Sequence, residues 1–221
     1  MIQLIPAQES AFRVLQYASK AGSLMLLSSP SGRGRTTVLR KLHEEMGGGF
    51  VTGRDFIETS AARHPLSLEE TLYSAVIASL KENPIVFVDD VDLIHDATSS
   101  CHFYPRGQYV ETALLELSDA ALREEKKLFV STDGAIAQTF ATRSFSASIG
   151  KYSVADYGAL LGTFLGAEPA TSLDAEKIYR FAPKLNAHQK RRVRELMEDE
   201  GNTRAEAVAW VLAFEPAEVS R

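Results

Sequence analysis

The sequence predicts an α/β protein, a parallel sheet covered by helices and followed by a purely helical segment. Three observations predict it. Short apolar runs recur at Leu24–Leu27, at Ile85–Asp89, where the run ends in acid, and at Leu128–Thr132. They are the pattern of strands buried on both faces. Segments with apolar residues at helical spacing separate these runs, and that alternation argues a parallel sheet rather than a barrel or a bundle. A glycine-containing loop, Ser29-Pro-Ser-Gly-Arg-Gly-Arg-Thr36, joins the first run to a helix-patterned segment.

The elements follow in order. An amphipathic stretch from about Pro6 to Lys20 leads into Leu24–Leu27; beyond the loop, Leu39, Leu42 and Met46 stand at helical spacing. After Gly47 to Gly49, Phe50 and Val51 predict a short second strand. Ser67-Leu-Glu-Glu70 has the form of a capping box, and Leu68, Leu72, Val76 and Leu80 share one face of the helix it opens. That helix must end near Asn83-Pro84. A polar, irregular stretch from His95 to Gly107 precedes a helix through Val110, Leu114, Leu117 and Ala121.

From about Ser153 the pattern is helical only, with Leu160, Leu161, Phe164 and Leu165 on one face, then Ile178 and Phe181, then Val193, Leu196 and Met197. Thr203-Arg-Ala-Glu206 is a second capping box, opening a helix through Val208, Val211 and Leu212. The boundary is expected near Tyr152, giving an α/β subdomain over 1–152 and a helical one over 153–221. No internal repeat or low-complexity segment is found.

At 221 residues with 45% hydrophobic and 24% charged side chains, the composition is that of a soluble globular protein. The 24 basic and 29 acidic side chains leave a net charge of -5, which argues against nucleic acid or an anionic membrane as partner. One cysteine, Cys101, excludes an internal disulfide and points to a reducing compartment. No signal peptide or membrane span is read, so a cytoplasmic protein is expected.

The loop Ser29–Thr36 has the form of a phosphate-binding loop from which the lysine is missing. The motif G-x-x-x-x-G-K-[ST] works because backbone N–H groups and a helix N-terminus surround the phosphates while the lysine reaches the terminal ones. Ser29 stands at the first glycine and Arg35 at the lysine; Gly32, Gly34 and Thr36 are retained. Asp89 closes a buried strand far enough beyond Thr36 for a helix, a strand and a helix between them. In a nucleotidase of this type, such a carboxylate holds magnesium through water and the next acid, here Asp90, orients the attacking water. The plainer reading is a strand that runs into a solvated Asp-Asp turn, and loop and acid together, in this order, favour the nucleotide fold.

At these residues the chain resembles the AAA family of ATPases, from about Gln8 to Ala213. Leu24–Val38 is similar to the family's first motif and Ile85–Ile94 to its second, including Asp92. Phe129-Val-Ser-Thr-Asp133 resembles the strand that carries sensor 1, with Asp133 where asparagine is usual. Asn186-Ala-His-Gln189, entering a basic helix, is similar to part of the family's lid. Asp-Asp in the second motif and Ala141–Ile149 resemble the second ATPase module of the N-ethylmaleimide-sensitive fusion factor, with CDC48-like proteins close in pattern.

The resemblance implies a five-stranded sheet ordered 5-1-4-3-2, a C-terminal helical lid with nucleotide between the two, and a ring, usually a hexamer. It implies ATP or ADP with Mg2+ as cofactors. Pro30, Ser31, Gly32, Arg33 and Gly34 would cradle phosphate, Arg35 would supply charge, and Thr36 and Thr37 would follow at the helix start. Thr36 and Asp89 would hold magnesium, Asp90 would polarise water, and Thr132 or Asp133 would sense the terminal phosphate.

Departures from the pattern bear on activity. Arginine's planar fork is bulkier than an ammonium, and Asp90 is one methylene shorter than the usual glutamate, so efficient hydrolysis is not expected. The loop Ala61-Ala-Arg-His-Pro-Leu66 has no aromatic with which to grip a polypeptide, and Phe50 and Phe56 read as strand and helix core. Arg143 is the candidate arginine finger, equally compatible with a helix-end arginine bonding the last carbonyls. Lys190-Arg-Arg192 and Arg194 read as the wet face of a lid helix, with a sensor 2 cation as the alternative. His95, Asp96, Cys101 and His102 match no compact metal spacing, Cys101 has no evident base, and Trp210 reads as core.

Three functions stay open: a module that holds adenine nucleotide in a ring with slow or absent hydrolysis, an active remodelling ATPase, and a nucleotide-free scaffold. No substrate-recruiting domain is read, which points to a fragment or one half of a tandem ATPase.

Overall fold

The computed structural model describes residues 2–64, 67–92, 94, 108–134, 136–165, 175–181 and 185–187. The elements are α1 (Pro6–Ala18), β1 (Leu24–Ser28), α2 (Arg35–Met46), β2 (Gly49–Val51), α3 (Gly53–Ser60), α4 (Leu68–Glu82) and β3 (Ile85–Val88). They continue as α5 (Gln108–Arg123), β4 (Lys127–Thr132), α6 (Gln138–Arg143), β5 (Phe145–Ser148), α7 (Val154–Leu165) and α8 (Ala175–Phe181). The five strands form one parallel sheet in the order β2-β3-β4-β1-β5, the expected order.

The apolar runs form strands because helices cover both faces and nothing polar need be presented. Along β1, Leu24 and Leu26 point into one core with Val86, Val88, Leu128 and Val130, against Leu72, Val76 and Leu80 of α4 and Val110, Leu114 and Leu117 of α5. Met25, Leu27, Phe87 and Phe129 are equally buried and alternate with that set along the strands. The Phe87 and Phe129 rings stack with centroids 4.7 Å apart, and Phe50 extends the row at 6.0 Å. His43 of α2 meets both Phe50 and Phe87 edge-on.

The sequence expectation differs from the structure at two helix starts. Ser67 does not cap α4 with its side chain; its hydroxyl donates instead to the His64 carbonyl at 2.6 Å. A capping box forms at α3, where Thr52 and Asp55 bond each other's backbone N–H reciprocally. The Ser67 pattern fits the box by residue type, but its φ of -126° and ψ of 40° do not aim the hydroxyl at the helix N–H groups.

The chain divides into two compact units. One comprises Met1–Leu4 and Gln8–Ile149, the other Ile5–Ala7 and Gly150–Arg221. In the second unit α7 and α8 pack together, with Leu160, Leu161 and Ile178 buried and the Tyr157 ring edge-on to Tyr179. Asp156 organises the start of α7. Its carboxylate accepts from the Ser153 N–H at 2.7 Å and the Ser153 hydroxyl at 2.6 Å, and from the Ala7 N–H at 2.8 Å.

The expected helices through Val193 to Met197 and from Thr203, the basic run Lys190–Arg194, and Trp210 lie outside the described residues, as do His95, Asp96, Cys101 and His102 and the side chains of Phe164, Leu165 and Phe181. Among the described residues no helix is long and apolar enough to cross a membrane.

Candidate functional site

The parallel order places the carboxyl ends of β1, β3 and β4 side by side, where an open α/β sheet binds its ligands. From β1 the chain enters the loop Ser29–Thr36. Ser29 extends the strand pairing by donating its N–H to the Thr132 carbonyl at 3.0 Å, and its buried hydroxyl donates to the Ile149 carbonyl at 3.2 Å. The serine in place of glycine is therefore accommodated by the chain leaving β5.

The loop then turns through left-handed backbone at Gly32 (φ 79°) and Gly34 (φ 88°), a region that costs other residues strain. At Gly34 a Cβ would also lie 2.2 Å from Gln8 Nε2 and displace the end of that side chain. Gln8 is buried and donates to the Arg33 carbonyl at 3.0 Å, which pins the loop to α1. Pro30 and Ser31 are exposed, and Gly32 and Arg33 half-buried. Helix α2 starts at Arg35 with no side-chain cap on its N-terminus and no acid in its first turn. Such an end suits an anion. Thr36 and Thr37 are half-buried there.

Arg35 is buried, 7% exposed, and does not point out of the loop mouth. Its Nη1 donates to the Ser29 carbonyl at 3.0 Å and lies 3.4 Å from Asp92 Oδ1. Its Nη2 donates to Asp90 Oδ1 at 2.6 Å and to Asp92 Oδ2 at 3.4 Å. The guanidinium thus bridges the phosphate loop to the segment after β3.

That segment is itself tightly held. The Asp89 N–H donates to the Val51 carbonyl at 3.0 Å, and Asp89 Oδ1 accepts from the Ser131 hydroxyl at 2.5 Å. The same Ser131 oxygen accepts from the Asp90 N–H at 2.8 Å. Asp90 adopts a left-handed backbone, φ 53°, the kind of outlier that persists only where surroundings impose it. Asp92 is buried, and its Oδ1 accepts from the Asp133 N–H at 3.1 Å. Thr132, fully buried, accepts from the Gly134 N–H at 3.3 Å.

Burial is the main cause that raises the Asp90 carboxyl above the ordinary aspartate value; the neighbouring Asp89 adds to it and Arg35 opposes it. A cavity of about 210 Å³ lies on this side of Asp89 and Asp90, walled by Val51, Phe56, Leu72 and Val88, so the acids adjoin an apolar surface. Asp92 is raised too, again by burial first, with Arg35 opposing.

The structure thus brings Arg35, Asp89, Asp90, Thr132 and Asp133 to the carboxyl end of the sheet with the loop. Arg143 is set apart: at the end of α6 it pairs with Asp119 of α5 at 2.7 Å, both about half exposed. It bonds a neighbouring helix's carboxylate, rather than the carbonyls of its own helix end. Sequence reasoning missed Ser131 and Gln8. A serine inside a buried apolar strand is a signal for the first, because a buried hydroxyl needs partners. Gln8 carried none, since one glutamine on a helix face is ordinary.

The oxygen donors Thr36 and Asp89 suit a hard cation such as Mg2+ rather than a soft metal. Among the described residues no group of three or more His, Cys, Asp or Glu side chains forms a metal-binding cluster.

Residues 25–141 match the profile of the ATPase family associated with various cellular activities (AAA). No curated protein matches the chain. Among solved structures, the chain is similar to a component of the E. coli MS115-1 HORMA:CdnC:Trip13 complex, with a TM-score of 0.65 at 12% identity, covering 96% of this chain and 90% of that one. C. elegans PCH-2 gives 0.55 at 13% identity, covering 93% and 66%. AMPPCP-bound DnaA from Aquifex aeolicus gives 0.58 at 11%, covering 92% and 63%. The chain therefore spans just under two thirds of the length of the PCH-2 and DnaA chains, and at these identities the likeness is one of fold.

Proposed function

The chain belongs to the AAA family of ATPases, and from that premise we propose that it is a module that holds adenine nucleotide in the loop Ser29–Thr36, with hydrolysis slow or absent. The backbone from Pro30 to Gly34 and the start of α2 at Thr36 and Thr37 take the phosphates. The left-handed glycines and the uncapped helix end support this. Thr36 and Asp89 would hold magnesium, which when bound neutralises phosphate charge. Thr132 or Asp133 would sense the terminal phosphate.

The observation that carries slow hydrolysis is the 2.6 Å bond from Arg35 to Asp90. A carboxylate oxygen held by a guanidinium is not free to accept from water, and Asp90 is the residue that would polarise the attacking water. The resemblance to the second module of the fusion factor, with its Asp-Asp, belongs to the same reading, as does a division into an α/β part of 1–152 and a helical lid of 153–221. Action on protein rather than nucleic acid is supported by the net charge of -5 and by the likeness to a component of the HORMA:CdnC:Trip13 complex, and a ring is what the resemblance to the family implies.

Calorimetric titration with ATP and magnesium, beside a turnover assay, tests the reading. Binding without appreciable turnover is expected. Robust turnover abolished by Asp90→Asn would make it an active ATPase, and no binding at millimolar ATP would make it a nucleotide-free scaffold.

A further inference from the structure

The Arg35 side chain reaches from the loop to the segment after β3. A guanidinium carries two hydrogens on each terminal nitrogen and one on Nε. Nη1 faces the Ser29 carbonyl and Asp92 Oδ1, and Nη2 faces Asp90 Oδ1 and Asp92 Oδ2. Three hydrogen bonds and one further ion-pair contact thus occupy the two terminal nitrogens. A phosphate placed at the loop would find both of them already engaged.

We propose that Arg35 is a latch shared between two mutually exclusive anions, the Asp90/Asp92 pair and the ligand's phosphates, so that a nucleotide binds only by drawing the guanidinium away from the carboxylates. This rests on the reading that the loop binds nucleotide, and deepens it by naming what opposes binding. Asp92 is buried and Asp90 about one third exposed. Leaving them without their cation exposes two desolvated charges to each other and to Asp89, the situation that makes the breaking of a buried ion pair costly. The latch selects ligands with enough charge to compete, so di- and triphosphates are admitted and a monophosphate or nucleoside is not.

The test is calorimetry with ADP and with AMP, without divalent ions so that any metal role of the acids drops out. The proteins are the full chain, Asp90→Asn, Asp92→Asn, Asp89→Asn and Arg35→Met, and Arg35→Met combined with each Asn change, their folding checked by thermal melts. Asp90→Asn and Asp92→Asn are expected to tighten ADP binding by roughly 3-fold to 10-fold. Asp89→Asn, which removes a charge that Arg35 does not touch, should tighten it less.

With Met at position 35 the Asn changes should have no such effect. If Asp92→Asn fails to fold because its site is buried, Asp90→Asn on the more exposed acid carries the test. Unchanged affinity in the Asp variants beside measurable binding by the parent chain overturns the latch and leaves the nucleotide reading standing. Equal tightening in the Met background also overturns it, because general charge repulsion would then be the cause. No ADP binding by any of the proteins overturns both.

Discussion

Ser131 does at the residue scale what the motif residues cannot do for themselves. Its hydroxyl gives its proton to Asp89 and takes the Asp90 N–H, so one oxygen sets both acids. Ser131→Ala leaves a carboxylate oxygen and a buried amide short of a partner, and a loss of about 1–3 kcal/mol is expected in urea unfolding. Asp90 has the opposite kind of influence. Its folded carboxyl is raised above the ordinary value of 3.8, so the proton binds more readily in the folded than in the unfolded chain. The stability it contributes is fully present below the unfolded value and is lost as pH rises through the folded one. Relative to Asp90→Asn, which does not titrate, the parent chain should therefore gain stability as pH is lowered through that window. Paired urea titrations across mildly acidic pH check this, and a difference that falls with acidification would contradict it.

Helix starts decide what happens at the element scale. Helix α3 has no fully buried residue and packs on the core through the partly buried Phe56, so the Thr52–Asp55 box has a large share in holding it. Thr52→Ala should cost about 1 kcal/mol and raise amide exchange in α3 while leaving α4 protected. The bond from Thr52 lowers the Asp55 carboxyl below its ordinary value. Its contribution is thus present above the unfolded value and lost as pH falls through the folded one, the reverse of Asp90. At α4 the serine hydroxyl is turned to the preceding loop, and the helix is held instead by Leu72, Val76 and Leu80 in the core.

For the whole molecule, the sheet and both of its covering layers belong to the first compact unit. That unit has its own continuous core from β1 to α6. A chain of Met1–Gly150 is expected to unfold cooperatively in urea, with an m-value below that of the full chain because less surface is exposed. Gradual, non-cooperative loss of helical signal in circular dichroism would show that the core needs the remainder. The Ala7 N–H, which Asp156 accepts in the full chain, loses that partner in the fragment, so weaker amide protection is expected at the start of α1.

The parallel α/β architecture was legible in the chain, because Leu24–Leu27, Ile85–Val88 and Leu128–Val130 are apolar runs that a sheet between two helical layers buries on both faces. The phosphate-loop form was legible as well, because Gly32 and Gly34 stand where the backbone turns left-handed. Spacing is local information, and these features are local. Only the tertiary structure decided where the charges went. That Arg35 turns to Asp90 and Asp92, that Ser131 serves two acids, that Gln8 closes the side of the loop and that Arg143 pairs with Asp119 all depend on residues brought together from 24 to 57 positions apart. The chain shows an arginine where lysine is usual, but which anion holds it depends on the register of β1, β3 and β4. That register is set by the burial of whole strands, not by the residues of the motif.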